Sequence, residues 1–226
     1  MNYGRAFSFA SEDPDWIKKL IIAALVILIP VVGPFAVSGW ALEINRRVIA
    51  GESELLPEWS NFGALIISGL KQWVVVLVYQ LPAILISVCG FGLYAGLLAA
   101  SGGSSSDDGG GALTGVAVGA MLCTYCFLFL FLIVGSLMIA PATSVLAETG
   151  EIGAALRFGH VFGLLRAAVG PYILSVLILA VLGSVGSSIG SIACGVGTLV
   201  AAAYTVIVAG HLHAQAYKIA KSTVSG

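Results

Sequence analysis

The chain has 226 residues and a formal net charge of −1, and 59% of its residues are hydrophobic while only 9% are charged. Soluble domains carry about 45–50% apolar and about 25% charged residues, so this composition excludes an ordinary soluble fold. The near-neutral charge provides no basic field for nucleic acid. We therefore expect an all-α, polytopic membrane protein that forms a single integral membrane domain over residues 1–226.

The first apolar run covers residues 17–49, and the sequence Pro30-Val31-Val32-Gly33-Pro34 interrupts it. One straight helix over residues 17–48 would be about 48 Å long, well beyond the hydrocarbon thickness of about 30 Å. Two prolines and a glycine within five residues also break helices. The pattern predicts an N-terminal helical hairpin, either re-entrant or made of two short full spans.

Four later runs each approach or exceed the roughly 20 apolar residues that a spanning helix needs. These predicted transmembrane helices are residues 73–100, 113–140, 171–189 and 192–212. Residues 101–111 are rich in glycine and serine, which predicts a flexible outer loop. The similar segments 62–69 and 152–159 are expected to be amphipathic helices in the membrane interface.

The distribution of basic residues predicts the orientation, since short cytoplasmic loops carry the excess of Lys and Arg. With a hairpin and four crossings, one side receives every basic residue of the chain: Arg5, Lys18, Lys19, Arg46, Arg47, Lys71, Arg157, Arg166, Lys218 and Lys221. The only charged residues on the other side are Asp107 and Asp108. We expect a multi-pass protein of the cell membrane with both termini in the cytoplasm.

The four cysteines, Cys89, Cys123, Cys126 and Cys194, all lie in apolar stretches. Cys123 and Cys126 have the spacing of redox and zinc sites, but no second pair and no partnering histidine lies nearby. We expect ordinary buried thiols, no metal and no cofactor.

Ionisable groups inside a membrane usually mark function, and this chain has almost none. Residues 73–146 contain only Asp107 and Asp108, and residues 167–217 contain no Asp, Glu, Lys or Arg. No hydrolase, metalloprotease or phosphate-loop motif is present. The sequence therefore predicts no catalytic residue and no enzyme, and it argues against an ion-coupled transporter.

The remaining polar residues are candidates for contacts. Glu43 can pair with Arg47 one helical turn later. Candidate contacts for lipid head groups or a cytoplasmic partner are Arg46, Arg47, Arg157, Arg166 and Lys218. Gln80, next to Pro82, is a candidate polar site inside the membrane. His160, His211 and Gln215 are expected to form a polar cytoplasmic patch, and Trp59 is expected to anchor at the headgroup level.

Three glycine pairs have the spacing that lets helix backbones approach closely, namely Gly92 with Gly96, Gly115 with Gly119, and Gly186 with Gly190. They serve either internal helix packing or contact with a second copy or another protein. Besides membrane lipids, such a protein partner is therefore expected.

Several stretches resemble a prokaryotic membrane-protein family known as domain of unknown function 4013. They are residues 7–9 (FSF), 12–19 (EDPDWIKK), 29–33 (IPVVG), 46–52 (RRVIAGE), 56–59 (LPEW), 69–71 (GLK) and 211–217 (HLHAQAY). The chain departs from the family pattern at His213-Ala214, where Tyr-Gly is expected. The resemblance implies a membrane fold and supplies no catalytic residue.

These features predict an integral membrane protein that is a non-enzymatic accessory or organising subunit. The alternative functions are a small uncoupled transporter or channel, and a lipid-binding membrane protein.

Overall fold

The computed structural model describes residues 3–53, 56–100, 110–192 and 195–224, and within these ranges the chain is helical with no strand. Two 3₁₀ turns occur, at Phe9–Glu12 and Trp59–Asn61. The helices are α1 (Tyr3–Ser8), α2 (Trp16–Ile27), α3 (Val32–Ala50), α4 (Phe62–Ala100), α5 (Gly110–Thr149), α6 (Ile152–Ala155), α7 (Phe158–Ala167), α8 (Val169–Ile192) and α9 (Val196–Val224). The predicted all-α class is confirmed.

Among the described residues, four stretches are long and apolar enough to cross a membrane: Trp59–Ala100, Leu113–Thr149, Val169–Ser191 and Gly197–Val224. They contain the four predicted spans, apart from residues 192–196 at the start of the last one. On the first three of these stretches many large apolar side chains are exposed, as expected where the solvent is hydrocarbon.

The interrupted first run forms two helices, α2 and α3, of about 18 Å and 28 Å. The chain reverses through a γ-turn in which the amide of Val32 donates to the carbonyl oxygen of Pro30 at 2.7 Å. Val31 at its centre has φ 67°, a conformation that β-branched residues rarely adopt. A β-carbon on Gly33 would overlap the carbonyl oxygen of Val26, so only glycine allows this close return of the chain.

Helices α4 and α5 are longer than the sequence predicted, at about 58 Å and 60 Å. Residues 62–69 form the first turns of α4 rather than a separate interfacial helix, since no breaker separates them from the span. Pro141 does not end α5, because residues 142–147 remain helical and are packed in the protein core. The similar segment 152–159 is instead divided between α6 and α7 by the non-helical backbone of Leu156 and Arg157.

The chain divides into two compact units. The first unit contains Met1–Val76 and Leu137–Gly226, with α9 at its centre packed against α1, α2, α3, α7 and α8. Its core includes the fully buried Trp40 and Ile44 of α3 and Ile207 of α9.

In the first unit α3 crosses the beginning of α4 at close range. A β-carbon on Gly39 would overlap the carbonyl oxygen of Leu65, and one on Gly69 would overlap that of Phe35. The two backbones are therefore in direct contact. The indole N–H of Trp73 donates to Ser38 Oγ at 3.0 Å, which fixes the rotation of the two helices.

The second unit, Leu77–Ser136, contains the remaining parts of α4 and α5. Gly90 faces Thr124, and the rings of Phe91 and Tyr125 meet edge to face at 6.0 Å. Because Gln80 also meets Gly135, residue numbers rise on one helix as they fall on the other, and the pair is antiparallel.

Two predictions concern the surface of this second unit. Cys89, Cys123 and Cys126 are exposed rather than buried, because apolar side chains of a membrane protein face outward as readily as inward, and Cys194 lies outside the described residues. Of the predicted loop 101–111, residues 101–109 lie outside the described residues, and Gly110 and Gly111 begin α5.

Candidate functional site

A buried lysine connects the two segments that lie before α2 and before α4. The Lys19 side chain is only 8% exposed. Its ammonium group donates to Asp13 Oδ2 at 2.7 Å and to the carbonyl oxygen of Leu56 at 3.1 Å, and Glu58 Oε1 lies 2.7 Å away. Three acceptors match the three N–H donors of an ammonium group. We call Lys19, Asp13, Leu56 and Glu58 the lysine clasp.

The charges of the clasp stabilise each other, and the clasp lies outside the four helices able to span a membrane. Burial raises the pKa of Asp13, but the hydrogen bonds from Lys19 and from the amide of Asp15 outweigh burial and leave the pKa below its ordinary value. Burial likewise lowers the pKa of Lys19, but Asp13 and Glu58 outweigh it and raise the pKa. Both groups are therefore ionised at neutral pH.

Two tryptophans support the clasp. The indole N–H of Trp40 donates to the carbonyl oxygen of Pro57 at 2.9 Å, and that of Trp59 donates to the carbonyl oxygen of Lys19 at 3.2 Å. Their rings stack with centroids 5.0 Å apart. Trp59 was expected to anchor at the headgroup level, but its N–H group is bonded within the protein.

A cleft of about 220 Å³ opens beside the clasp. Its wall carries four carboxylates, of which Asp13 and Glu58 hold Lys19 while Glu12 lies 3.8 Å from Arg5. Among the described residues no three His, Cys, Asp or Glu side chains are grouped to hold a metal ion. The arrangement is suited to joining chain segments.

The candidate residues Arg46 and Arg47 belong to a second charged cluster at the end of α3. Both guanidinium groups bind Glu43, at 2.7 Å from Arg46 and 3.1 Å from Arg47, which confirms the predicted pairing of Glu43 with Arg47. Glu52 lies 3.2 Å from Arg46 and 3.7 Å from Arg47. Two cations and two carboxylates therefore neutralise each other locally.

A third cluster joins α5 to α9. Glu148 accepts hydrogen bonds from the hydroxyl of Tyr217 at 2.6 Å and from the ammonium group of Lys221. The candidate Lys218 donates to the carbonyl oxygen of Val48 at 3.3 Å, which adds α3 to the cluster. These contacts use polar side chains for packing at the end of the first unit.

Three further candidates of the first unit lie on α7 or directly before it. Arg157, His160 and Arg166 are exposed, and the Arg166 guanidinium lies 4.7 Å from the ring centroid of Phe162.

His211 is only 3% exposed and therefore does not belong to an exposed patch with His160. It stacks on Phe9 with centroids 4.2 Å apart, because the N-terminal segment folds back onto α9. Gln215 is half-buried.

Gln80 has a buried side-chain oxygen with no hydrogen-bond partner among the described residues of the second unit. This oxygen packs against Gly135, where an added β-carbon would lie 2.7 Å from it. At this position α4 and α5 are in close contact.

The three glycine pairs have different surroundings. Gly186 and Gly190 pack inside the first unit, against Ala201 and Thr198 of α9. In contrast, an added β-carbon at any residue of the other two pairs would meet no atom within 4 Å: Gly92, Gly96, Gly115 and Gly119. Both pairs of the second unit are therefore free of internal packing in the described chain.

The helical fold and its four long apolar helices define a polytopic α-helical membrane protein. Residues 22–195 match the family model described as "Protein of unknown function (DUF4013)", and the protein belongs to this family. The match confirms the resemblance, and the lysine clasp joins two of the stretches that carry it, residues 12–19 and 56–59. Comparison with curated proteins and with solved structures found no match in either set.

Proposed function

We propose that this protein is a non-enzymatic accessory or organising subunit of the cell membrane, which binds a second copy or another membrane protein through its second unit. The observation that carries the proposal is the pair of open glycine faces at Gly92/Gly96 and Gly115/Gly119. Helices associate in lipid through close backbone contact at such small residues. The matching pair of the first unit, Gly186/Gly190, already makes that kind of contact.

The polar residues of the first unit also support a non-enzymatic role. Charged side chains that lie within the membrane usually mark a pathway for a substrate, an ion or a proton. Here the three clusters around Lys19, Glu43 and Glu148 pair both signs of charge within the protein. The clusters around Lys19 and Glu148 join separate segments of the first unit, and the cluster around Glu43 remains at the end of α3.

The proposed orientation places both termini in the cytoplasm, with a hairpin of α2 and α3 followed by four crossings. It is supported by the basic residues, because this arrangement puts all ten of them on one side.

Labelling with a membrane-impermeant maleimide tests the orientation. With all four native cysteines replaced by serine, we expect Ser104→Cys to react in intact cells and Lys221→Cys to react only after permeabilisation. Equal labelling of both positions from outside would contradict the proposed topology. The matched control is the cysteine-free chain, which should not react.

Association through the second unit is tested with the double variant Gly92→Leu/Gly96→Leu. Two leucines hold neighbouring backbones apart, so we expect self-association or partner binding to fall by at least about tenfold, equivalent to about 1.4 kcal/mol. Energy transfer between labelled chains in liposomes measures self-association. Recovery of a partner from native membranes measures partner binding.

The control for this experiment is Gly163→Leu, which places the same side chain in open space on α7 of the first unit. It should leave association unchanged. A native chain that is monomeric and recovers no partner would rule out the proposal.

The alternative of a small uncoupled channel draws on Gln80, the polar group inside the second unit. Its buried oxygen lies against Gly135, so the contact favours packing over a water path at this position. Solute flux through the membrane of liposomes that contain the protein would favour the channel instead.

A further inference from the structure

Helix α7 lies directly before α8, which contains one of the stretches able to span a membrane. α8 is about 36 Å long, close to the hydrocarbon thickness of about 30 Å, so its first residue, Val169, lies near the membrane surface. Only Ala168, whose backbone is not helical, separates the two helices. The end of α7 is therefore at the level of the lipid head groups.

One face of α7 packs against the protein, and another face is uncovered. Val161 and Leu164 are buried, and α7 contacts α9. Phe158 and Phe162 lie one helical turn apart on a neighbouring face and are 53% and 45% exposed. Exposed apolar patches mark contact with a membrane or with a partner. At the level of the head groups, such a pair of aromatic rings is adjacent to the acyl chains.

The guanidinium group of Arg166 is held next to this aromatic pair. It lies 4.7 Å from the ring centroid of Phe162. Stacking engages the flat face of the guanidinium and leaves its in-plane N–H groups free to donate. In the part of the chain that the structure describes, Arg166 is exposed and has no carboxylate partner. The guanidinium is therefore positioned by the ring and available to an anion.

The charge of the connector between α5 and α8 also favours an anion. Residues 150–168 contain two cations, Arg157 and Arg166, and one carboxylate, Glu151. Arg157, at the other end of α7, is likewise exposed and forms no ion pair with any described residue. A guanidinium group binds phosphate in a bidentate geometry, and basic residues at a membrane surface attract anionic lipids. Phenylalanine and arginine together on one helix are typical of helices that lie in the membrane interface.

We propose that α7 is a membrane-interface helix that binds the phosphate of an anionic phospholipid at Arg166, with Phe158 and Phe162 against the acyl chains. Arg157 lies about 14 Å away along the helix and attracts a neighbouring anionic lipid. The site belongs to the first unit and does not depend on association through the glycine faces of the second unit. It differs from general lipid contact because its cation is held over an aromatic ring and is not neutralised by a described carboxylate.

The test measures which lipid lies next to α7. The full chain, with its four cysteines replaced by serine, carries a bimane fluorophore at Gly163→Cys, where an added side chain meets open space. It is reconstituted into liposomes of equal amounts of phosphatidylglycerol and phosphatidylcholine, and one of the two lipids is brominated on its acyl chains near the head group. Bromine quenches the fluorophore on contact. We expect both lipids to quench it, and phosphatidylglycerol to quench it more.

Two variants test the phosphate contact. Arg166→Gln should lower the preference for phosphatidylglycerol about fivefold, the contribution of one basic residue near anionic lipid. Its matched control is Lys18→Gln, which removes the same charge from another exposed residue and should leave the preference unchanged. Phe162→Leu keeps an apolar side chain but removes the ring that holds Arg166, and it should lower the preference about two- to fivefold.

Phe158→Ala tests the contact with the acyl chains. It should lower the quenching by both lipids alike, because it removes an apolar side chain from the acyl region and leaves the stacking of Arg166 on Phe162 in place. The control is Phe129→Ala, at an exposed position of α5 in the second unit, which should leave the quenching unchanged.

The absence of quenching by either lipid would overturn the proposal as a whole and show that this face of α7 is turned to water or covered by a protein. Equal quenching by the two lipids, or an equal effect of Lys18→Gln and Arg166→Gln, would overturn Arg166 as the phosphate site. Unchanged quenching in Phe158→Ala would overturn the contact of the aromatic pair with the acyl chains.

Discussion

Replacing Lys19 with methionine is expected to destabilise the first unit by about 3 kcal/mol, the lower end of the range for breaking a buried ion pair. The ammonium group holds Asp13, the carbonyl oxygen of Leu56 and Glu58 at once. Methionine fills a similar volume but leaves the mostly buried Asp13 carboxylate without its partner. For a chain of this size the midpoint of thermal unfolding should fall by roughly 6–12 °C.

The matched control is Lys18→Met, at the preceding position in α2. Lys18 is exposed, whereas Lys19 is buried. The two variants have the same composition and the same net charge, so any difference between them reports the clasp alone. Thermal unfolding in detergent, followed by size-exclusion chromatography, measures both, and equal midpoints would show that the clasp contributes nothing.

The clasp also predicts a dependence of stability on pH. Because folding lowers the pKa of Asp13, its contribution is present above the unfolded pKa near 3.8 and is lost as pH falls through the lower folded value. Because folding raises the pKa of Lys19, its contribution is complete below the unfolded pKa near 10.5 and is lost as pH rises through the folded value.

The unfolding midpoint of the native protein should therefore include a clasp contribution from about pH 4 to about pH 10. The difference between the native protein and Lys19→Met should shrink on both sides of this window. The Lys18→Met variant should follow the native profile throughout. A difference that stayed constant at acidic and alkaline pH would show that methionine acts through packing and not through lost charge.

The sequence predicted the helical class, the broken first run and the approximate positions of the four long helices. These features follow from local composition: apolar length determines the spans, and Pro30, Gly33 and Pro34 determine the break. The ends of the helices were less predictable. The helix predicted over residues 113–140 was expected to end before Pro141, but packing of residues 142–147 in the core keeps the chain helical beyond it.

The lysine clasp was not predicted, and the reason is physical. Residues 20–29 are uniformly apolar, so their pattern shows no difference between the buried and exposed faces of α2. Lys18 and Lys19 therefore look alike in the sequence. What distinguishes them is the position of Leu56 and Glu58, which are brought to α2 by the fold of the first unit.

The contacts of the glycines were also not predictable from their spacing in the sequence. The spacing of four residues identified three pairs, but it could not tell which of them pack internally. It also missed Gly39 and Gly69, since their partner is a helix on another part of the chain and no second glycine lies four residues away. Their role depends on where α3 crosses α4, which the sequence pattern does not specify.

Replacing Gly69 with alanine is expected to separate α3 from α4 and to destabilise the first unit by about 3 kcal/mol, the upper part of the usual range for overpacking. The added methyl group would overlap the carbonyl oxygen of Phe35, which is backbone and cannot change rotamer. Gly39→Ala should have the same effect, because its methyl group would overlap the carbonyl oxygen of Leu65. Thermal unfolding in detergent measures both variants.

The control substitution, Gly163→Ala, is expected to change stability in the opposite direction. Gly163 lies within α7 with no atom near its missing β-carbon, so Gly163→Ala should raise stability by about 0.5–1 kcal/mol through the lower conformational entropy of the unfolded chain. The same substitution is thus expected to stabilise at one glycine and to destabilise at two others. If Gly69→Ala and Gly39→Ala were also stabilising, the two backbones could not be in contact. That result would also contradict the hydrogen bond from the Trp73 indole to Ser38, which requires α3 and α4 to lie side by side.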